Sequence, residues 1–306
     1  MPGFHQFTCK NLYTLMQEPQ RGNFKTSFVF KSLVICLFFL CQCQKNHQSF
    51  VTLPVFDSVP STKALNPLVN EISGIADSKM NPGYLWGQED SGNPSQLYLI
   101  SHEGSISKKL HLAGVLNRDW EDIALVNGDI YIAETGDNAN AYNNYKFYKF
   151  PEPLANADTV TNIETINFTY PDGSHDAEAF LVDASSRNIY IITKSDNPSK
   201  IYLLNYPYNA ANNLVLLVGS LPYTGVVSAA SSANEIIIKT YTNLFYYTHV
   251  KDETIERSLQ KPYTTLPYVI EPQGEAVSFA INNSGFYTLS EKGFAPTVAL
   301  YFYKRN

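Results

Sequence analysis

Acidic and lysine side chains recur in this sequence at the two ends of short apolar runs. Glu71, Asp119, Glu121, Asp122, His175, Asp176, Glu178 and Glu275 stand at or near the starts of such runs. Glu89, Asp90, Glu134, Asp137, Asn138, Lys194, Asp196, Lys239 and Glu291 stand at or near the ends of the next ones. Carboxylates gathered around one mouth repel each other unless something neutralises them. Lys194 and Lys239 supply part of that charge, and a hard cation can supply the rest, since Ca²⁺ takes 6–8 oxygen ligands from carboxylates and carbonyls. The runs QEDSGN (88–93) and ETGDN (134–138) have the oxygen density of such sites, without the alternating acids of an EF-hand loop. Each residue also has a purely structural role open to it. Asx-Gly runs make turns, a glutamate opening an inner strand can accept N–H bonds from its neighbour, and His175 beside Asp176 can be a catalytic pair or a structural hydrogen bond. No G-x-S-x-G elbow, H-E-x-x-H helix or phosphate loop is present.

The elements that must position these residues are short, aromatic strands. EISGIADS (71–78), DWEDIALV (119–126), HDAEAFLVD (175–183) and QGEAVSFA (273–280) open four similar units, and a degenerate fifth contains VVSAASS (226–232). Each is followed by second and third strands, as in IYIAETGDN (130–138) and YKFYKF (145–150). Aligned on Ser73, Glu121, Glu178, Ser228 and Glu275, the unit recurs every 47–57 residues. That is the period of a four-stranded propeller blade. The sequence therefore predicts an all-β protein, a β-propeller of five four-stranded blades, whose alternative is a β-sandwich without a period. Fourth strands are expected at 105–112, 164–170 and 213–221. FVTLPVF (50–56) is expected to complete the last blade and close the ring, removing an exposed sheet edge. First-strand starts and second-strand ends then lie on one face, near the axis. Trp120 is expected to pack between blades.

The 306 residues carry 22 Lys+Arg against 28 Asp+Glu, net −6, which excludes a phosphate-binding stripe for nucleic acid. With 21 Tyr and 18 Phe but only 16% charged residues, the chain is too apolar and aromatic for disorder. All four cysteines, Cys9, Cys36, Cys41 and Cys43, precede residue 44, so the propeller region 50–306 holds neither disulfide nor Cys-ligated zinc. Lys25 and Lys31 before SLVICLFFLC (32–41) and polar QKNHQ have the layout of a secretory signal. The resulting expectation is a signal segment 1–42, with Met16 an alternative start, then a linker 43–49. It resembles a lipoprotein signal with Cys43, or Cys41, as the lipidated residue. The protein is then exported to the cell envelope and held by a lipid anchor.

RDWEDIA (118–124), ETGDN (134–138), FPEP (150–153), YPDGSHDAEAF (170–180), IITK (191–194), IKTYT (238–242) and QGEAVSF (273–279) together resemble a widespread, largely uncharacterised, exported bacterial β-propeller family. More distantly the chain is similar to phytase-like, SdiA-regulated-type and calcium-activated nucleotidase propellers. The distant resemblance implies Ca²⁺ near the central channel, held by Glu121, Glu178 and Glu275. Ser73 and Ser228 depart from that pattern, and the phytase-like catalytic set is not matched in full. The expected function is a monomer that binds Ca²⁺ and a small molecule, glycan or protein at the top face, through Glu89, Asp90, Asp122, Asp137, Asn138 and Asp176. One alternative is Ca²⁺-dependent phosphoester hydrolysis, with Glu134 or Glu291 as base and Lys194 and Lys239 stabilising charge. Another is a glycosidase, which needs two suitably spaced carboxyl groups.

Overall fold

The repeated apolar strings become the inner strands of five small antiparallel sheets. The computed structural model describes residues 55–306, which fall within one unit, Leu53–Asn306. The expected signal segment, Cys41, Cys43, the linker and residues 50–54 lie outside the described residues. After β1 (Ser61–Ala64), the first blade is β2 (Ile72–Asp77), β3 (Tyr84–Glu89), β4 (Gln96–Ser101) and β5 (Ile106–Leu112). The second is β6 (Trp120–Val126), β7 (Asp129–Glu134), β8 (Tyr145–Pro151) and, past β9 (Thr159–Val160), β10 (Glu164–Thr169). The third is β11 (Ala179–Val182), β12 (Ile189–Ile192), β13 (Lys200–Leu204) and, past β14 (Asn213–Leu214), β15 (Leu216–Ser220). The fourth is β16 (Val226–Ser231), β17 (Glu235–Thr240), β18 (Leu244–Thr248) and, after the short helix α1 (Ile255–Leu259), β19 (Thr264–Leu266). The fifth is β20 (Gly274–Phe279), β21 (Gly285–Ser290) and β22 (Ala299–Lys304), completed by β1. The protein is a five-bladed β-propeller.

Second strands such as β12 and β17 read as unbroken apolar runs because both of their faces are buried. Ile236 and Ile238 pack toward blade three, while Ile237 packs toward blade five. One apolar layer separates each adjacent pair of blades, and Trp86, Trp120 and Phe56 are fully buried in these layers. At roughly 1.5–3 kcal/mol for a fully buried large apolar side chain, five such layers hold a ring without disulfides. The Asn127–Gly128 turn joins β6 to β7 with both residues at positive φ, the geometry of a two-residue hairpin.

The fourth strands fall where expected for blades one and two. In blade three only β15 does so, because Asn213–Leu214 pairs with β10 of blade two instead. The N-terminal segment does close the ring, but its pairing strand is Ser61–Ala64, antiparallel to β22, rather than 50–56. Phe56 contributes an isolated bridge to Arg305 and stacks edge-on against Phe286 at 4.9 Å. Among the described residues, no helix is long and apolar enough to cross a membrane.

Candidate functional site

The first strands of four blades carry the same local device. The pairings β2–β3, β6–β7, β16–β17 and β20–β21 each shift register near the strand start. Such a bulge inserts one residue and re-aims the side chains beside it. Ser73 and Glu275 are the inserted residues in blades one and five, and Glu121–Asp122 span the shift in blade two. In blade four the inserted residue is Val227, so Ser228 is displaced by one from the alignment read in the sequence and points elsewhere. Ser73 is structural: its hydroxyl reaches the Trp120 carbonyl at 3.3 Å and accepts from Gln88 at 2.8 Å.

Two carboxylate groups form around the bulge of blade two. Oxygens of Asp90, Asp119 and Glu121 lie within 4.8 Å of one another, and so do oxygens of Glu121, Asp176 and Glu178. Glu121, Asp176 and Glu178 are buried, whereas Asp90 and Asp119 are half-buried and reach solvent. Gly136 makes room for them, since a Cβ there would stand 1.9 Å from Glu121 Oε1 and 2.6 Å from Asp119 Oδ2. Glu178 accepts from Lys194 through Oε1, while its buried Oε2 has no partner. No hydrogen bond among the described residues ends on the Glu121 carboxylate. Asp176 accepts from the Asp137 amide at 2.9 Å and from the Ser195 hydroxyl at 2.7 Å. Glu275 lies alongside, accepting from the Tyr241 hydroxyl at 2.6 Å, and Glu291 accepts from Gln273 at 3.2 Å through Oε2.

The electrostatics follow from this crowding. Burial, then Glu178, Asp90, Asp119 and Glu275, pushes the Glu121 carboxyl well above its usual range. Burial does the same to Glu178 against the pull of Lys194. Asp119 is pushed up to about 6 by burial and Asp90, and Glu291 up to about 9 by burial and Glu275. For Lys194, burial opposes the ammonium, but Glu178 overcomes it and raises the pKa above the usual lysine value.

Several expected residues do not join this group. Glu89 is taken by the Tyr98 hydroxyl. Glu134 accepts from Trp120 Nε1 at 3.2 Å and from Tyr148 at 2.9 Å, so it is not a free base. Asp137 spends its oxygens on the Ala141 and Tyr142 amides and the Tyr145 hydroxyl, which makes ETGDN a held turn. Asn138 is exposed. His175 does not pair with Asp176: Nδ1 meets Asp196 at 2.8 Å, and Nε2 meets Asp172 at 3.0 Å and Tyr202 at 2.8 Å. Lys239 is fully buried beside Tyr268 and Glu271, and burial pulls its pKa down to about 8, so it faces an interblade layer rather than the mouth. Asp122 points across the channel to Ser228 at 3.1 Å and the Ala229 amide at 3.2 Å in blade four. Glu152 of FPEP is likewise structural, binding Ser78, Lys79, Met80 and Trp86. The sequence reading singled out neither Gly136 nor Tyr241. Gly136 sits inside ETGDN, a string read for its side-chain oxygens or as a turn, and Tyr241 follows Lys239 by two in IKTYT.

A cavity of about 540 Å³ opens at the other end of the channel, lined by residues such as Ile75, Leu125, Phe180, Ser231, Phe279 and Arg305. None of the residues expected to do chemistry lines it. No family model matches the chain, and no curated protein matches it. Among solved structures, a chain of Kuenenia stuttgartiensis hydrazine synthase is similar with a TM-score of 0.41 at 10% identity, over 76% of this chain and 83% of that one.

Proposed function

We propose that the protein is a cation-dependent binding module whose top face holds a divalent cation, best matched by Ca²⁺, among Glu121, Asp176 and Glu178. The observation that carries this reading is the buried Glu178 carboxylate, grouped with those of Glu121 and Asp176 and keeping one oxygen without a hydrogen-bond partner. An unpaired buried carboxylate is costly, and a cation offsets that cost. The span fits the ion: Ca²⁺–oxygen distances of about 2.3–2.6 Å put opposed ligands roughly 4.6–5.2 Å apart. Glu275, expected among the ligands, is better placed as a neighbour held by Tyr241. The bound ion presents its remaining coordination positions to an anionic ligand. Millimolar Ca²⁺ at a hundredfold excess over Kd adds about 2.7 kcal/mol of stability. That corresponds to a rise in Tm of roughly 5–10 °C for a domain of this size. Chelator removes the rise, and Glu178→Gln abolishes it. An unchanged Tm in Ca²⁺ would sink the reading and send the search to protein partners.

Hydrolysis of a phosphoester is a second reading, favoured by Glu291. Held up to about 9 next to Glu275, this carboxyl keeps its proton at neutral pH and suits a general acid rather than a base. The glycosidase alternative gains no support, because the carboxylates converge to within 4.8 Å on mostly buried side chains instead of flanking an open pocket.

The same crowding predicts a pH dependence. Asp119 and Glu291 have folded pKa values above their unfolded ones, so the folded chain keeps protons that the unfolded chain has released. Their stabilisation is complete below the unfolded values and is lost as pH rises through about 6 and about 9. Above pH 8 the depressed Lys239 contributes a slope of the opposite sign, which offsets that of Glu291, so the window to measure is pH 5–8. In chelator, Tm is expected to fall across that window. In Ca²⁺ the fall flattens, because cation binding releases the protons. A pH-independent Tm in chelator would contradict the buried-carboxylate account.

A further inference from the structure

Glu121 belongs to both carboxylate groups, and the two differ in exposure. Glu121, Asp176 and Glu178 form a buried set, while Asp90 and Asp119 complete a second set that reaches solvent. A carboxylate has two oxygens, and one that serves two groups of ligands is the usual bridge between ions about 3.5–4 Å apart. Charge counts in the same direction. With Glu275 alongside, six carboxylates face two cationic side chains, Lys194 on Glu178 and Arg118 near Asp119, and the four negative charges left when all are ionised are neutralised by two divalent cations. One divalent cation leaves half of that charge uncompensated at a largely buried place.

Two further observations point to ligands. Glu178, a member of the inner set, is 3% exposed, and its buried Oε2 has no hydrogen-bond partner. Glu121 is 4% exposed, and no hydrogen bond among the described residues reaches its carboxylate. Gly136 leaves the space in which Glu121 Oε1 and the Asp119 carboxylate approach one another, a gap that any Cβ would fill.

Resting on the cation reading above, we propose that the top face holds two divalent cations bridged by Glu121. The inner ion sits with Asp176 and Glu178, is closed off, and fixes blade two to blade three. The outer ion sits with Asp90 and Asp119 at the rim. Three carboxylates leave a Ca²⁺ shell of 6–8 oxygens unfilled. The open positions of the outer ion face solvent, so they take water or an anionic oxygen, phosphoryl or carboxylate, of a bound molecule.

Calorimetric titration of the whole protein with CaCl₂, checked by equilibrium dialysis, counts the ions. Two equivalents per chain are expected. Asp90→Asn, at a half-exposed position that bears little on folding, weakens one equivalent at least tenfold and leaves the other unchanged; Asp119→Asn repeats the result. Glu121→Gln weakens both. Phenylphosphonate added to the Ca²⁺-loaded protein binds the wild type and not Asp90→Asn, whereas acetate binding in its place identifies a carboxylate ligand. A single equivalent in the wild type overturns the two-ion site and leaves the cation reading standing. No binding at all overturns both.

Discussion

Replacing Asp122 by alanine is expected to destabilise the protein by about 3–5 kcal/mol, equally with and without Ca²⁺. This side chain is fully buried, and its carboxylate accepts from the Ile123 amide at 2.9 Å, the Ser228 hydroxyl at 3.1 Å and the Ala229 amide at 3.2 Å. Ser228 in turn accepts from the Val277 amide at 3.3 Å. One carboxylate thereby connects blade two to blade four across the axis, and through Ser228 to blade five. Burial holds its carboxyl well above the usual range, and its amide and hydroxyl donors work the other way. Truncation strands these donors at about 1–3 kcal/mol each, less whatever water entering the gap restores. Asp122→Asn keeps the volume and one acceptor, so about 1–2 kcal/mol is expected. Urea unfolding of the two variants measures both values. A loss under 1 kcal/mol for Asp122→Ala would show that the channel tolerates an open axis and that blade packing alone holds the ring.

The legibility of the fold and the obscurity of half the site have a common physical origin. Strands between two blades are buried on both faces, so they appear as repeated apolar strings whatever the rest of the chain does. The closing strand is an outer edge, STKA at 61–64, mostly exposed, and nothing in its pattern distinguishes it from a loop. The apolar 50–56 string drew attention instead, and of its described residues Phe56 packs against the last blade while the Val55 carbonyl accepts from the Asn306 amide at 3.0 Å. Within the site, the starts of the first strands converge because the repeat places them at the axis, which spacing alone conveys. The fate of the acids that end second strands is decided one strand further out. Tyr98 on β4 captures Glu89, and Tyr148 on β8 captures Glu134, through pairings that no local string announces. The bulge adds a second obstacle. In blade four the bulge falls on Val227, so Ser228 stands one position past it and meets Asp122 across the axis, and an alignment on residue type does not register such a slip.

Gly136→Ala tests the cation site without touching a ligand. Gly136 is not among the glycines with positive φ, so its backbone accepts alanine. The obstruction is entirely in what a methyl group would meet: Glu121 Oε1 at 1.9 Å and the Asp119 carboxylate at 2.6 Å. Both carboxylates have to move away, and Glu121, common to the two sets, cannot then serve either. Ca²⁺ affinity is expected to fall at least a hundredfold, about 2.8 kcal/mol. In chelator the outcome has the opposite sign. Parting two mutually repelling carboxylates relieves strain, and the change from glycine restricts the unfolded chain, worth about 0.4–1 kcal/mol where the backbone fits. The variant is therefore expected to match or exceed the wild type in Tm without Ca²⁺ and to fall below it with Ca²⁺. A stability defect present in both conditions would mean that Gly136 serves packing alone. An intact Ca²⁺ response would place the cation elsewhere on the ring, because no ion can sit between Glu121 and Asp119 once a methyl group occupies the space their oxygens need.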